Sequence, residues 1–196
     1  MAFQPTKKEV VKEIIKCGKD PDYFINNYAR ISHPIRGLIP FNTYDFQSQL
    51  IEDFNDYRFN VILKARQLGI STITAEWMKI ASISIDNRTS FELSNGSQIK
   101  ASTTSSDAGR SEALSLLVID EAAHVEGLED LWTGLYPTLS TGGRCIALST
   151  PNGVGNWFHK TCIDAQAAAN NFNLTTLQWD VHPERDELWF KKETKN

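Results

Sequence analysis

Three short stretches of this sequence combine residue types that could handle a phosphate group. The first is Lys64-Ala65-Arg66-Gln67-Leu68-Gly69-Ile70-Ser71-Thr72. The common phosphate loop reads G-x-x-x-x-G-K-S/T: backbone N–H groups and a helix N-terminus cradle the phosphates, a lysine reaches them, and a hydroxyl takes Mg²⁺. Gly69, Ser71 and Thr72 fit that pattern, but Ile70 occupies the lysine position. Lys64 stands where the first glycine would be, with Arg66 two residues on. Alone, the stretch reads equally well as a helix start capped by Ser71. The second stretch, LLVIDEA, delivers Asp120 and Glu121 at the end of an apolar run. An aspartate there can hold Mg²⁺, which wants hard oxygen ligands and keeps part of its water shell. A neighbouring glutamate can polarise an attacking water. A pair of solvated acids is the plain alternative. The third stretch, Ser149-Thr150-Pro151-Asn152-Gly153, offers hydroxyls and an amide for a terminal phosphate, or simply a turn.

These residues need a scaffold that brings them together, and the hydrophobic pattern supplies one. Apolar runs at 60–65, 114–119 and 144–150 read as buried strands, each ending in one of the three polar tips. Helical patterns follow at 72–82 and 156–169, and a last strand is expected over 174–179. Apolar strands alternating with helices predict a parallel sheet covered on both faces, with ligands at the carboxyl ends of its strands. The three tips should therefore meet in one crevice. Upstream, helices are expected over 7–17 and 43–54, with a short helix and an extended connector between Pro21 and Pro40. Asn95-Gly96 between two alternating segments predicts a β-hairpin.

Composition sets only loose bounds. A chain of 196 residues holds one α/β domain and is short for two. With 41% hydrophobic and 22% charged residues it is an ordinary globular sequence. No run approaches the roughly 18 apolar residues of a membrane helix. Cys17, Cys145 and Cys162 follow no zinc or redox spacing and read as reduced thiols. The net charge of −4 leaves any grip on nucleic acid to a local patch. Lys160, Arg185, Lys191, Lys192 and Lys195 are candidates for one, although scattered cations are usually just solvated. HPERDE (182–187) reads as a solvated helix start, and His33, His124 and His159 have no ligand-like spacing.

Taken in order, KARQLGIST, a hairpin, SDAGRSEALSLLVIDEAAH and ALSTPNG resemble the ATPase domain of tailed-bacteriophage large terminases. The resemblance spans roughly residues 40–190. It implies an α/β P-loop NTPase fold of the ASCE type, with a mainly parallel sheet and a hairpin insertion. A helical lead-in over 1–40 would precede an ATPase domain over 41–196. It further implies ATP as substrate and Mg²⁺ as cofactor. Gln47 resembles the adenine-recognising glutamine and Phe46 the ring that stacks beside it. Residues 64–72 resemble a deviant Walker A loop, in which Lys64 supplies the ammonium and Arg66 a second cation. Gln67, Gly69 and Thr72 complete that loop, and Ser71 is its Mg²⁺ hydroxyl. Asp120 and Glu121 resemble Walker B and its catalytic glutamate, and Ser149 and Thr150 the coupling motif. Arg110 matches an arginine that in some terminases reaches a neighbouring subunit's ATP. Such a finger can contribute about 10³–10⁵ in rate.

The implied role is to power double-stranded DNA translocation into a capsid. The implied partners are the portal protein, the small terminase subunit and further copies in a ring, in the cytoplasm of a bacterial host and at the procapsid portal. Two departures stand against the pattern. The interval from Thr72 to Asp120 is short by about one strand and one helix, and the nuclease domain that family members carry is not expected in this sequence. Two other readings stay open: a non-hydrolysing module that keeps the fold for nucleotide or partner binding, and a helicase-like DNA-dependent ATPase, suggested by DEAAH.

Overall fold

The computed structural model describes residues 5–33, 35–77, 83–86, 90–93, 98–101, 103 and 113–195. In chain order the elements are α1 (Lys7–Lys19), α2 (Pro21–Tyr28), β1 (Arg30–His33), β2 (Gly37–Pro40), α3 (Asp45–Asp56), β3 (Phe59–Lys64) and α4 (Ile70–Trp77). Then come β4 (Ile83–Asp86), β5 (Ser90–Leu93), β6 (Gln98–Lys100), β7 (Leu116–Asp120), α5 (Leu128–Leu135), β8 (Arg144–Ser149), α6 (Trp157–Gln166), β9 (Phe172–Leu177) and α7 (Glu187–Glu193). They fall into two compact units, one of residues 1–51 and 72–101, the other of 52–71 and 102–196.

In the first unit, α1 begins at a reciprocal cap. The Glu9 N–H donates to the Thr6 hydroxyl, and the Thr6 N–H donates to the Glu9 carboxylate at 2.7 Å. Asp20 caps α2, whose first residue is Pro21, where a missing N–H costs no helical bond. The expected extended connector after α2 is in fact a β1–β2 hairpin, with Ile31 opposite Ile39. Ile25, Ala29, Phe41, Ile51 and Ile73 form a small core there. The anticipated hairpin forms as β5 against β6, antiparallel, with β4 adding a third strand. Asn95 and Gly96 lie outside the described residues.

The second unit carries a four-stranded sheet in the order β7-β8-β3-β9, every pair parallel. Alternate residues of a strand face opposite sides. Phe59 and Val61 of β3, with Cys145 and Ala147 of β8, join a core with α5 and α6. That core includes Leu128, Leu131, Leu135, Trp157, Phe158 and Cys162. Each large apolar side chain buried in this cluster contributes about 1.5–3 kcal/mol. Ile62, Ile146 and Leu148 face the other way and are equally buried. The two central strands are thus covered on both sides, as their unbroken apolar runs require. Among the described residues β7 is an edge strand, and Leu116, Leu117 and Val118 are only half-buried.

Candidate functional site

Parallel pairing sets the three polar tips level with one another. Leu63 lies opposite Ser149, and Asp120 opposite Leu148. The next residues, Lys64, Glu121 and Thr150, therefore emerge at one edge of the sheet. The Nζ of Lys64 donates to Oε1 of Glu121 at 3.0 Å. Lys64 is buried, whereas about half of the Glu121 side chain is exposed. The other Glu121 oxygen, Oε2, accepts longer bonds from the Thr150 N–H (3.4 Å) and hydroxyl (3.3 Å). It lies 3.4 Å from the Ser149 hydroxyl oxygen, whose single proton has a shorter acceptor in the Thr150 carbonyl at 2.7 Å. Burial pushes the Glu121 carboxyl up, but the hydrogen bond and charge of Lys64, with the Thr150 donors, outweigh it. The result is a pKa below the ordinary value of 4.5.

Among the described residues, two of the three non-glycine residues with positive φ lie in these loops, the third being Ala168 after α6. Glu121 is held in the left-handed region at φ 48° and ψ 43°, and Gln67 at φ 58°. Each costs about 1 kcal/mol for a residue with a Cβ, and such strain gathers at functional loops. Gly69, at φ 72°, meets the same demand without a Cβ. Asp120 is exposed, and its Oδ1 accepts the N–H of Glu121 at 2.9 Å. Ser71 is exposed in the first turn of α4. A carboxylate and a hydroxyl that both reach solvent are the hard oxygen donors Mg²⁺ prefers while it keeps several waters. Among the described residues no group of three or more acids, histidines or cysteines is placed to hold a metal ion.

No protein-family model matches the sequence. Among solved structures, the chain is similar to the large-terminase ATPase domain of Thermus phage P74-26. An arginine-to-alanine variant of that domain superposes with a TM-score of 0.50 at 16% identity, over 80% of this chain and 90% of that one. The fold is that of a large-terminase ATPase domain. A second structure of the same phage domain gives a TM-score of 0.44 at 18% identity, covering 77% of each chain.

Within this terminase fold, Lys64, Glu121, Ser149 and Thr150 meet directly, and Asp120 joins them through the Glu121 backbone. Arg66, Gln67, Gly69 and Ser71 follow Lys64 in one loop, with Arg66 and Gln67 exposed. Phe46, Gln47 and Thr72 belong to the first unit. There Gln47 is buried, its Oε1 accepts the Tyr44 N–H at 3.0 Å, and Phe46 stacks on Tyr44. Arg110 lies outside the described residues. A cavity of about 400 Å³ involves Leu63, Asn152, His159, Cys162 and Leu174. Leu63 faces the opposite side of β3 from Lys64, and none of the converging polar groups lines this cavity.

Two residues that the sequence does not single out belong with the site. His124, which lacks ligand-like spacing, places Nε2 3.2 Å from the Thr150 hydroxyl oxygen and 4.0 Å from Oε2 of Glu121. Arg185, one of the scattered cations, donates to the carbonyls of Arg66 (3.0 Å) and Gln67 (2.9 Å). DEAAH is the available signal for His124, and nothing local marks Arg185. Two other cations of the supposed basic face are paired with carboxylates, Lys160 with Glu129, 31 positions away, and Lys191 with Glu187, one helical turn away.

Proposed function

We propose that this chain is the ATP-hydrolysing motor domain of a phage large terminase, spanning residues 41–196, and that it drives double-stranded DNA into the capsid. The observation that carries this reading is the meeting of Lys64, Glu121, Ser149 and Thr150 at the carboxyl edge of a terminase-type sheet. The phosphates of ATP would lie along residues 65–71, where N–H groups of the loop and the start of α4 favour negative charge. Lys64 and Arg66 supply the cations that Ile70 cannot. Mg²⁺, held by Ser71 and Asp120, would neutralise phosphate charge when bound.

Lys64 exchanges Glu121 for the phosphates. The freed carboxylate takes a proton from the water attacking the γ-phosphorus, while the bond to the ADP oxygen breaks. Thr150, bonded to that carboxylate, and Ser149 beside it register its move and pass it to β8. Phe46 and Gln47 serve the adenine, and Arg110 acts on ATP in a neighbouring copy of a ring. The portal protein and the small terminase subunit complete the assembly, at the procapsid in the bacterial cytoplasm.

Binding tests the first step of this reading. Calorimetric titration of the chain with ATP and Mg²⁺ should show one site, weakened at least about tenfold by Lys64→Ala, as expected for loss of a charged hydrogen bond. Equal affinity in the two proteins would remove Lys64 from the phosphate site. Binding without hydrolysis would favour the non-hydrolysing module.

A further inference from the structure

The loop from Ala65 to Gly69 leads into a helix that begins with Ile70 rather than lysine, and Gln67 and Gly69 are both left-handed. A phosphate cradle built largely from backbone N–H groups depends on how firmly its peptide units are oriented. The chain following β9 is placed to orient them. The Ala65 N–H donates to the Leu177 carbonyl at 2.8 Å, which ties the loop's start to the end of β9. Arg185 then bonds the next two carbonyls, those of Arg66 and Gln67.

The guanidinium is itself held in place. It lies 4.7 Å over the ring of Trp189, which stacks on Trp179, and Trp179 also stacks on Phe190. A planar fork with fixed donors, backed by an aromatic face, suits two adjacent carbonyls in a way that a single ammonium does not. With their carbonyls turned toward Arg185, the peptide units that follow Arg66 and Gln67 are oriented without any ligand.

We propose that Arg185 is a positioning residue that braces the phosphate loop from outside, so that the segment from Trp179 to Phe190 sets the affinity for the nucleotide's phosphates. The inference rests on the ATP-binding reading above. Arg185 acts through the loop and does not touch the nucleotide. It lowers the ordering cost of binding by holding the loop in its binding shape.

The test compares the full chain with Arg185→Ala, Arg185→Lys and Trp189→Leu, using ATP with Mg²⁺ as the probe. Arg185→Ala should weaken ATP binding and raise KM by about tenfold, the loss expected for charge-assisted bonds, with kcat at saturation little changed. Arg185→Lys should behave like the alanine variant, because it keeps the charge and loses the fork. Trp189→Leu should show a smaller rise in KM. Backbone hydrogen exchange over residues 65–72 should quicken in the same order. Full rescue by lysine would assign the effect to charge and overturn the brace, as would unchanged affinity and exchange in both Arg185 variants. If the wild-type chain binds no ATP, the reading of the site fails and this inference with it. If it binds ATP and both Arg185 variants match it, only the inference falls.

Discussion

Lys64 and Glu121, 57 positions apart in sequence, are joined by a 3.0 Å hydrogen bond between Nζ and Oε1. The side chain expected to bind phosphate is therefore paired with the one expected to activate water. Lys64 is buried, so removing Glu121 leaves a charge in a poor solvent; Glu121 is half exposed, so water offsets part of that cost. A double-mutant cycle with Lys64→Met and Glu121→Gln should give a coupling of about 1–2 kcal/mol in urea unfolding without nucleotide. Saturating ATP with Mg²⁺ should reduce it, because phosphate replaces the carboxylate as partner. Coupling that is zero, or indifferent to ATP, would contradict the exchange.

The depressed pKa of Glu121 fixes the sign of a pH effect. Burial opposes the ionised form, but Lys64 and the Thr150 donors outweigh burial, and the native pKa lies below 4.5. The stabilisation is therefore present above pH 4.5 and is lost as pH falls through the native value. Asp120, Lys64 and His124 are the other charged or titratable groups beside this carboxylate among the described residues. Denaturation of wild type and Glu121→Gln from neutral pH to about pH 3 should show a wild-type advantage that shrinks only at the acid end. An advantage that grows on acidification would mean the ion pair is absent.

Much of the sheet is legible in the sequence because its strands are unbroken apolar runs, and their polar tips show as breaks in those runs. The pattern starts β9 at 174, two residues late: Phe172 belongs to the strand, through ring contacts with Phe59, Trp132 and Trp157. No helix is expected at α5 from the pattern, although Leu128, Leu131 and Leu135 recur at helical spacing. The β1–β2 hairpin has strands too short to show a clear alternation. Within the site, residue types are legible and partners are not. Lys64 has the chemistry of a phosphate cation, but its pairing with Glu121 depends on strand order. His124 and Arg185 meet partners 26 and 119 positions away, and no local pattern encodes such contacts.

The Thr150 hydroxyl has one proton, and a carboxylate can only accept. If that proton goes to Glu121, His124 must donate to Thr150 through Nε2–H. His124→Phe should lower kcat about fivefold, the equivalent of one hydrogen bond, and leave KM unchanged, whereas His124→Gln should retain most activity. An equal loss in both variants would point to packing instead.

Gly143 tests the fold rather than the site. A Cβ there would collide with the Leu114 carbonyl oxygen and lie 2.9 Å from a Leu139 methyl carbon. Gly143→Ala should cost about 3 kcal/mol, read as a lower urea midpoint. A midpoint equal to wild type would mean that the entry to β8 is looser than these contacts imply.

The most direct test of the central claim is Mg²⁺-dependent release of phosphate from ATP by the purified chain, beside Glu121→Gln. Turnover is expected from the wild type, with a loss of at least about 100-fold in the variant while ATP still binds. Turnover that survives the substitution would remove Glu121 from the chemistry. A folded wild type that binds ATP without hydrolysing it would contradict the motor assignment.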